Sequence, residues 1–304
     1  MEKTSTPQNP KTDSFSPLFP PYLVLGLGVI AASTAAIFIR LCQAPPFIIG
    51  GYRLVLATLI TLGLAMSRNR KFKLVIPGAE VPYVLLAGFF LSLHFGLWIY
   101  SLTLTKVASA SILVSLQPLF VSVLAIKLFK EPLRKRDKAG LTLSFMGAFF
   151  ISGGDIQLGS REFTGDILAV LSGFCGACYF LAGKKTRHQV ELTNYLALVY
   201  GTAAVILGLM AWLTGTPMTG YSGNAWFWII MLALIPTLIG HSFYNWSLKY
   251  LSAHRVGMMI YVEPLLSSLL ACLFLKESPS WGTYPGALFI FTGLYLTLTR
   301  PHSR

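Results

Sequence analysis

The chain has 304 residues, of which 54% are hydrophobic and only 12% charged, and its mean hydropathy is +0.65. A soluble domain is about 25% charged, so a water-soluble enzyme, a disordered protein and a disulfide scaffold are excluded, and a polytopic membrane protein is left. The net charge of +13 comes from 24 Lys plus Arg against 11 Asp plus Glu. The basic residues stand in short clusters between long apolar runs, which is the pattern of cytoplasmic loops and not of a nucleic-acid-binding face.

Residues 1–20 are polar and lead into the prolines Pro7, Pro10, Pro17, Pro20 and Pro21. They read as a disordered cytoplasmic tail. Lys3 and Lys11 are separated from the first apolar run by a Pro-rich stretch, so that run reads as a retained span and not as a cleaved signal.

A bilayer core of about 30 Å needs about 20 apolar residues per helix. Ten such runs follow in chain order: Tyr22–Ile39, Pro46–Met66, Val81–Leu102, Val107–Leu128, Ala139–Ser152, Gly165–Leu181, Thr193–Leu213, Ala225–Leu248, His254–Leu275 and Trp281–Leu298. The fifth is the shortest. All are expected to be helices, since lipid forbids unpaired backbone. With a cytoplasmic N-terminus, 18 basic residues fall inside, in clusters such as Arg68–Lys73, Lys130–Lys138 and Lys184–Arg187, against four outside, Arg40, Lys106, Arg161 and Lys276. That split places both termini in the cytoplasm.

The chain repeats itself at an offset of 146 residues, where 12 of 47 positions agree between 101–147 and 247–293. The identities include Pro118/Pro264, Lys130/Lys276, Glu131/Glu277, Gly140/Gly286 and Gly147/Gly293. Each repeat holds five spans, and an odd number turns the second half upside down. Lys130-Glu131 is expected inside and Lys276-Glu277 outside. Inverted repeats are the architecture of many secondary transporters, with the solute held near mid-membrane between the halves. A duplicated structural membrane protein or a channel is the competing reading.

At these residues the chain resembles the drug/metabolite transporter superfamily, in its EamA-type branch. The marks are Gln117-Pro118-Leu119-Phe120 followed by Lys130-Glu131, and Glu263-Pro264-Leu265-Leu266 followed by Lys276-Glu277. Arg53 in Gly51-Tyr52-Arg53-Leu54 resembles an arginine common in the family's second span. The resemblance covers about residues 20–299. It implies an all-α integral membrane fold of ten helices, with inverted five-helix halves (21–152 and 163–299) around a central cavity. Family members mostly export amino acids and other small metabolites. Some import metabolites or exchange nucleotides.

Glu263 lies about ten residues into its span, far from any loop. A carboxylate there costs roughly 2.5–3.5 kcal/mol on insertion scales, so a cavity or a partner is expected. Pro264 has no N–H and crowds the carbonyl of Ile260, which predicts a kink. Gln117 and Pro118 sit at the matching depth of the first repeat. Glu263 is read either as the group that binds a substrate amine or a proton, or as a packing contact; Gln117 reads as structural. Arg53 is open to a substrate carboxylate, to snorkelling or, as the favoured reading, to structural pairing with a group such as Glu263. His94, Leu97, Trp98 and Ser101 share one helix face, as do His241, Tyr244, Asn245 and Leu248. Trp98 and Tyr244 correspond under the repeat. These faces suit either an organic solute or helix packing, and the histidines are candidates for proton coupling.

Cys175 and Cys178 fall within Ser172-Gly173-Phe174-Cys175-Gly176-Ala177-Cys178, read as a small-residue packing face and not as a redox or metal site. No HExxH, GxSxG or P-loop occurs, which argues against an enzyme. The expected protein is an inner-membrane exporter of amino acids or related metabolites working by alternating access. Uptake or exchange of a nucleotide-like metabolite such as S-adenosylmethionine is the alternative. The partners expected are the solute, the bilayer and protons as coupling ion. No cofactor, metal or nucleic acid is implied, and the chain is expected to act as a monomer or homodimer.

Overall fold

The computed structural model describes residues 17–68, 73–105, 107–130, 132–152, 160–276 and 283–298. The readings placed on Lys3, Lys11, Lys106, Glu131, Glu277 and Trp281 lie outside the described residues. Every regular element among the described residues is helical. In chain order they are α1 (Pro21–Ala32), α2 (Ala35–Leu41), α3 (Pro46–Arg68), α4 (Val81–Leu104), α5 (Val107–Val114), α6 (Gln117–Phe129), α7 (Lys135–Ser152), α8 (Ser160–Thr186), α9 (Leu192–Leu213) and α10 (Gly223–Leu232). A π-helical stretch, Ala233–His241, joins α10 to α11 (Ser242–Ser247), and α12 (Ala253–Ile260), α13 (Glu263–Leu275) and α14 (Thr283–Leu298) complete the chain.

Among the described residues, seven helical runs are long and apolar enough to cross a bilayer: Pro21–Leu41, Pro46–Ser67, Val81–Leu104, Phe163–Thr186, Leu192–Leu213, Gly223–Ser247 and Ala253–Phe274. Large apolar side chains such as Leu59, Trp212, Phe274 and Leu288 point outward, each more than half exposed. Such a surface is stable against lipid and costly in water. The fold and this surface define an integral membrane protein.

Four helices are broken or distorted part-way, each with an identifiable local cause. Ser33 Oγ donates to the Val29 carbonyl at 2.7 Å and Thr34 Oγ1 to the Ala31 carbonyl at 2.8 Å, between α1 and α2. Such back-bonding bends a helix. Pro118 and Pro264 each occupy the second position of a helix, where a missing N–H is tolerated. The preceding turns, Ser115–Leu116 and Tyr261–Val262, separate α5 from α6 and α12 from α13. Pro236 lies inside the π-helical stretch, and Thr237 Oγ1 donates back to the Leu232 carbonyl at 2.7 Å. The sequence pattern did not reveal this π stretch.

Helix boundaries recur at the offset seen in the sequence. The start of α3 and α9, and both ends of α5 and α12 and of α6 and α13, are 146 residues apart. The residues that follow α6 and α13, Lys130 and Lys276, have φ of 54° and 56° and are the two non-glycine residues with positive φ among the described residues. The main packing pairs are α3 with α9, α7 with α14, α4 with α8 and with α9, and α1 with the π-helical stretch and α11. The helix that carries the fifth apolar run begins before it, since α7 starts at Lys135 with a charged first turn. Asp137 in its first turn accepts from the Arg134 backbone N–H at 2.9 Å and from the Arg134 Nε at 3.1 Å. Burial opposes ionisation of Asp137, but the Arg134 contacts outweigh it and hold the carboxyl below its ordinary value.

Candidate functional site

The breaks before Gln117 and Glu263 meet the distorted eighth run at a small cavity. Its volume is about 50 Å³, and its walls include His94, Trp98, Gln117, His241, Tyr244 and Glu263. A second lobe of about 30 Å³ shares Trp98 and Glu263 and adds Ser111, Pro264 and Ser267. A buried water needs roughly 10–15 Å³ on this measure, so the main lobe has room for a few waters. Its walls must separate before an organic solute enters.

Six of the eight polar and aromatic candidates read from the sequence therefore come together: Glu263, Gln117, His94, Trp98, His241 and Tyr244. Glu263 opens α13, midway along the Ala253–Phe274 run, and Tyr244 Oη donates to its Oε1 at 2.6 Å. His94 is held by α8. The Ser172 hydroxyl donates to the His94 carbonyl at 2.8 Å, and the Ser172 carbonyl lies 2.9 Å from His94 Nδ1. A carbonyl only accepts, so Nδ1 carries a proton. The rings of His94 and His241 are 6.3 Å apart in an edge-on arrangement. Trp98 Nε1, an obligate donor, is buried without a hydrogen-bond partner.

Two candidates stand outside the cavity wall. Asn245 is fully buried and gives its amide protons to Tyr179 Oη and, at 2.7 Å, to the His241 carbonyl. The α-helical face drawn through His241, Tyr244 and Asn245 puts it beside the others. The π stretch ends at His241, and Asn245 is engaged with α8. Arg53 is also fully buried, and the expected pairing with Glu263 is not made. Its Nε donates to Thr237 Oγ1 at 3.0 Å, and its guanidinium lies 4.0 Å over the ring of Phe95.

Sequence reasoning missed Phe95, Phe180 and Ser115, which also line the cavity. Phe95 was findable, because it corresponds to His241 under the 146-residue offset. Phe180 carries no such signal. The stretch containing Cys175 and Cys178 is a packing face as read. A Cβ at Gly173 would lie 2.8 Å from the Val114 carbonyl oxygen, and one at Gly176 would lie 2.9 Å from His94 Nδ1. The missing side chains of these glycines let α8 approach the break before Gln117. Among the described residues no group of three or more His, Cys, Asp or Glu is arranged to hold a metal ion.

At the cytoplasmic cluster read from the sequence, Lys184 Nζ donates to the carbonyls of Leu248 and Leu251 at 3.2 and 2.8 Å. Arg187 Nε donates to that of Asn245 at 3.1 Å. These cations satisfy carbonyls in the last turn of α11 and just beyond it.

A long apolar bundle enclosing a small polar cavity is the form of a membrane transport protein. The chain belongs to the EamA-like transporter family, whose model matches it twice, over residues 20–153 and 163–299. An uncharacterized transporter from Archaeoglobus fulgidus is 25% identical over 290 residues, which cover 92% of this chain and 98% of that one. A probable amino-acid metabolite efflux pump of Salmonella typhimurium is 21% identical over 86% of this chain and 88% of its own. One of the same description from Escherichia coli is 23% identical, with the same coverage of both chains. A solved crystal structure shares the fold, with a TM-score of 0.77, 20% identity, and coverage of 91% of this chain and 96% of that one. The protein is a transporter and not an enzyme.

Proposed function

We propose that this transporter is a ten-span secondary carrier that exports amino acids or related small metabolites across the cell inner membrane by alternating access. The seven long runs, together with the joined α5–α6, α7 and α14, make ten spans. Two five-span halves, 21–152 and 163–299, then face opposite ways, with both termini cytoplasmic. The observation that carries the reading is the cavity between two matched helix breaks, with Gln117 on one and Glu263 on the other. Broken helices around a mid-depth site are how inverted-repeat carriers expose polar groups within lipid.

Glu263 binds a solute ammonium or a proton, and Tyr244 competes for the same carboxylate. The equivalent pair in the other half is Trp98 and Gln117. Trp98 Nε1 is unpartnered while the Tyr244–Glu263 bond is made. In the opposite-facing state these roles exchange: Trp98 donates to Gln117, and Glu263 is released. The second lobe extends from Glu263 toward Ser111 and Ser267, which lie on the side of the fourth and ninth runs that the basic-residue bias makes external. The relatives described as probable amino-acid metabolite efflux pumps support the solute class.

The test is counterflow in liposomes holding the purified protein. Saturable exchange of an amino acid, found by comparing solutes retained by cells with and without the protein, is the expected result. Linear flux without exchange would reject a carrier, and single-channel conductance in planar bilayers would replace it with a channel.

A further inference from the structure

Arg53 is a charge without a counter-charge. The side chain is 0% exposed. Its Nη1 and Nη2 have no hydrogen-bond partner, and among the described residues no carboxylate forms an ion pair with it. Thr237, which accepts from Nε, passes its own proton to the Leu232 carbonyl and brings no negative charge. The face of Phe95 offsets a small part of the cost. A buried cation with two idle donors costs several kcal/mol and persists only where something else compensates it.

The ring that covers the guanidinium also lines the cavity. Phe95 touches Arg53 on one side and the main lobe on the other, and its centroid is 4.9 Å from that of His241, a second wall residue. Phe95 is therefore the side chain that stands between the guanidinium of Arg53 and the cavity that Glu263 lines. A guanidinium with two unpartnered nitrogens can bind a carboxylate through two parallel N–H bonds.

We propose that Arg53 is an anion site, screened by Phe95 in this conformation, that takes the carboxylate of the transported solute while Glu263 takes its ammonium. The identity of the anion rests on the carrier reading; the existence of the site does not. Recognition by both groups makes the solute a zwitterion of α-amino-acid type, and a decarboxylated amine a poor substitute.

The experiment follows thermal unfolding of the full-length protein in detergent during titration with sodium acetate or sodium chloride, for the wild type, Arg53→Met and Arg53→Lys. The difference from Arg53→Met removes the general effect of salt. The expected result is a saturable rise in wild-type Tm of about 2–4 °C with acetate, absent in Arg53→Met. Arg53→Lys keeps the charge without the fork and should need about tenfold more acetate. It carries the test alone if Arg53→Met does not fold. Acetate acting without chloride supports the carboxylate assignment. Chloride acting equally well overturns it in favour of a free inorganic anion at the same place. No saturable shift in the wild type, or equal acetate responses in the wild type and either variant, overturns the site. Absent counterflow with an intact acetate shift would reject the carrier reading and leave the site standing.

Discussion

Gly140 of α7 lies against the backbone of Gly293 on α14, so closely that a Cβ at Gly140 would fall 2.6 Å from the Gly293 carbonyl oxygen. The reciprocal contact is present as well: a Cβ at Gly147 would fall 2.6 Å from the carbonyl oxygen of Gly286. Under the offset of 146, Gly140 is the counterpart of Gly286, and Gly147 of Gly293. Gly140 thus touches the counterpart of Gly147, and Gly147 that of Gly140, as a two-fold relation between the halves requires. A sequence repeat has become a self-complementary contact.

Gly140→Ala and Gly147→Ala should both destabilise the protein, because the new methyl meets unyielding backbone on α14 as well as the side chains of Thr297 and Ile290. The expected loss is about 1–3 kcal/mol each, the usual cost of overpacking. Thermal unfolding in detergent measures it. Gly63→Ala is the control, since a Cβ there meets nothing within 4 Å. Equal stability of all three variants would show that the close approach is not required.

Lys130 and Lys276 end their helices in left-handed backbone, with φ of 54° and 56°. Glycine adopts that conformation without the Cβ clash that costs other residues roughly 1–2 kcal/mol. Lys130→Gly and Lys276→Gly should raise Tm slightly, whereas a β-branched valine at either position should lower it. If the halves are inverted, cysteines placed at 130 and 276 in a variant lacking the four native cysteines must label from opposite sides of the membrane. Labelling from one side would remove the basis for alternating exposure.

The bond from Tyr244 to Glu263, 2.6 Å long, is the polar latch of the cavity. Tyr244→Phe keeps the ring and removes the donor. A hydrogen bond to a charged group contributes about 1.5–3 kcal/mol, so the balance between the two facing states should shift by roughly 10- to 100-fold, measured as altered exchange at fixed solute concentration. Glu263→Gln should abolish exchange of an ammonium-bearing solute together with its pH dependence. Unchanged transport and pH profile in that variant would refute a proton or ammonium role for Glu263.

Asp137 supplies a pH prediction outside the membrane. Its carboxyl is held below its ordinary value, so it stabilises the fold above the unfolded carboxylate pKa, about 3.9, and that contribution fades as pH falls through the depressed folded value. Asp137→Asn should therefore be less stable than the wild type at neutral pH, and the difference should close in acid. Arg134 is 47% exposed, so solvent screens the pair and the gap should stay under about 1 kcal/mol. A gap that widens in acid would contradict the assignment.

The sequence by itself determined the helical membrane fold, the offset between halves and the positions of the two proline breaks. Each follows from a local rule: apolar runs must close their hydrogen bonds within a helix, and Pro118 and Pro264 cannot donate to the preceding turn. It also marked six residues that share the cavity, because intramembrane polar groups turn away from lipid. Only the tertiary structure decided the partners of those groups. Arg53 pairs with Thr237 and Phe95 and not with Glu263, and Asn245 turns to Tyr179 and leaves the cavity wall. Those choices depend on the packing of α3, α8 and the π-helical stretch, whose extra residue per turn changes the register of every side chain beyond it. No periodicity read along a single helix contains that information.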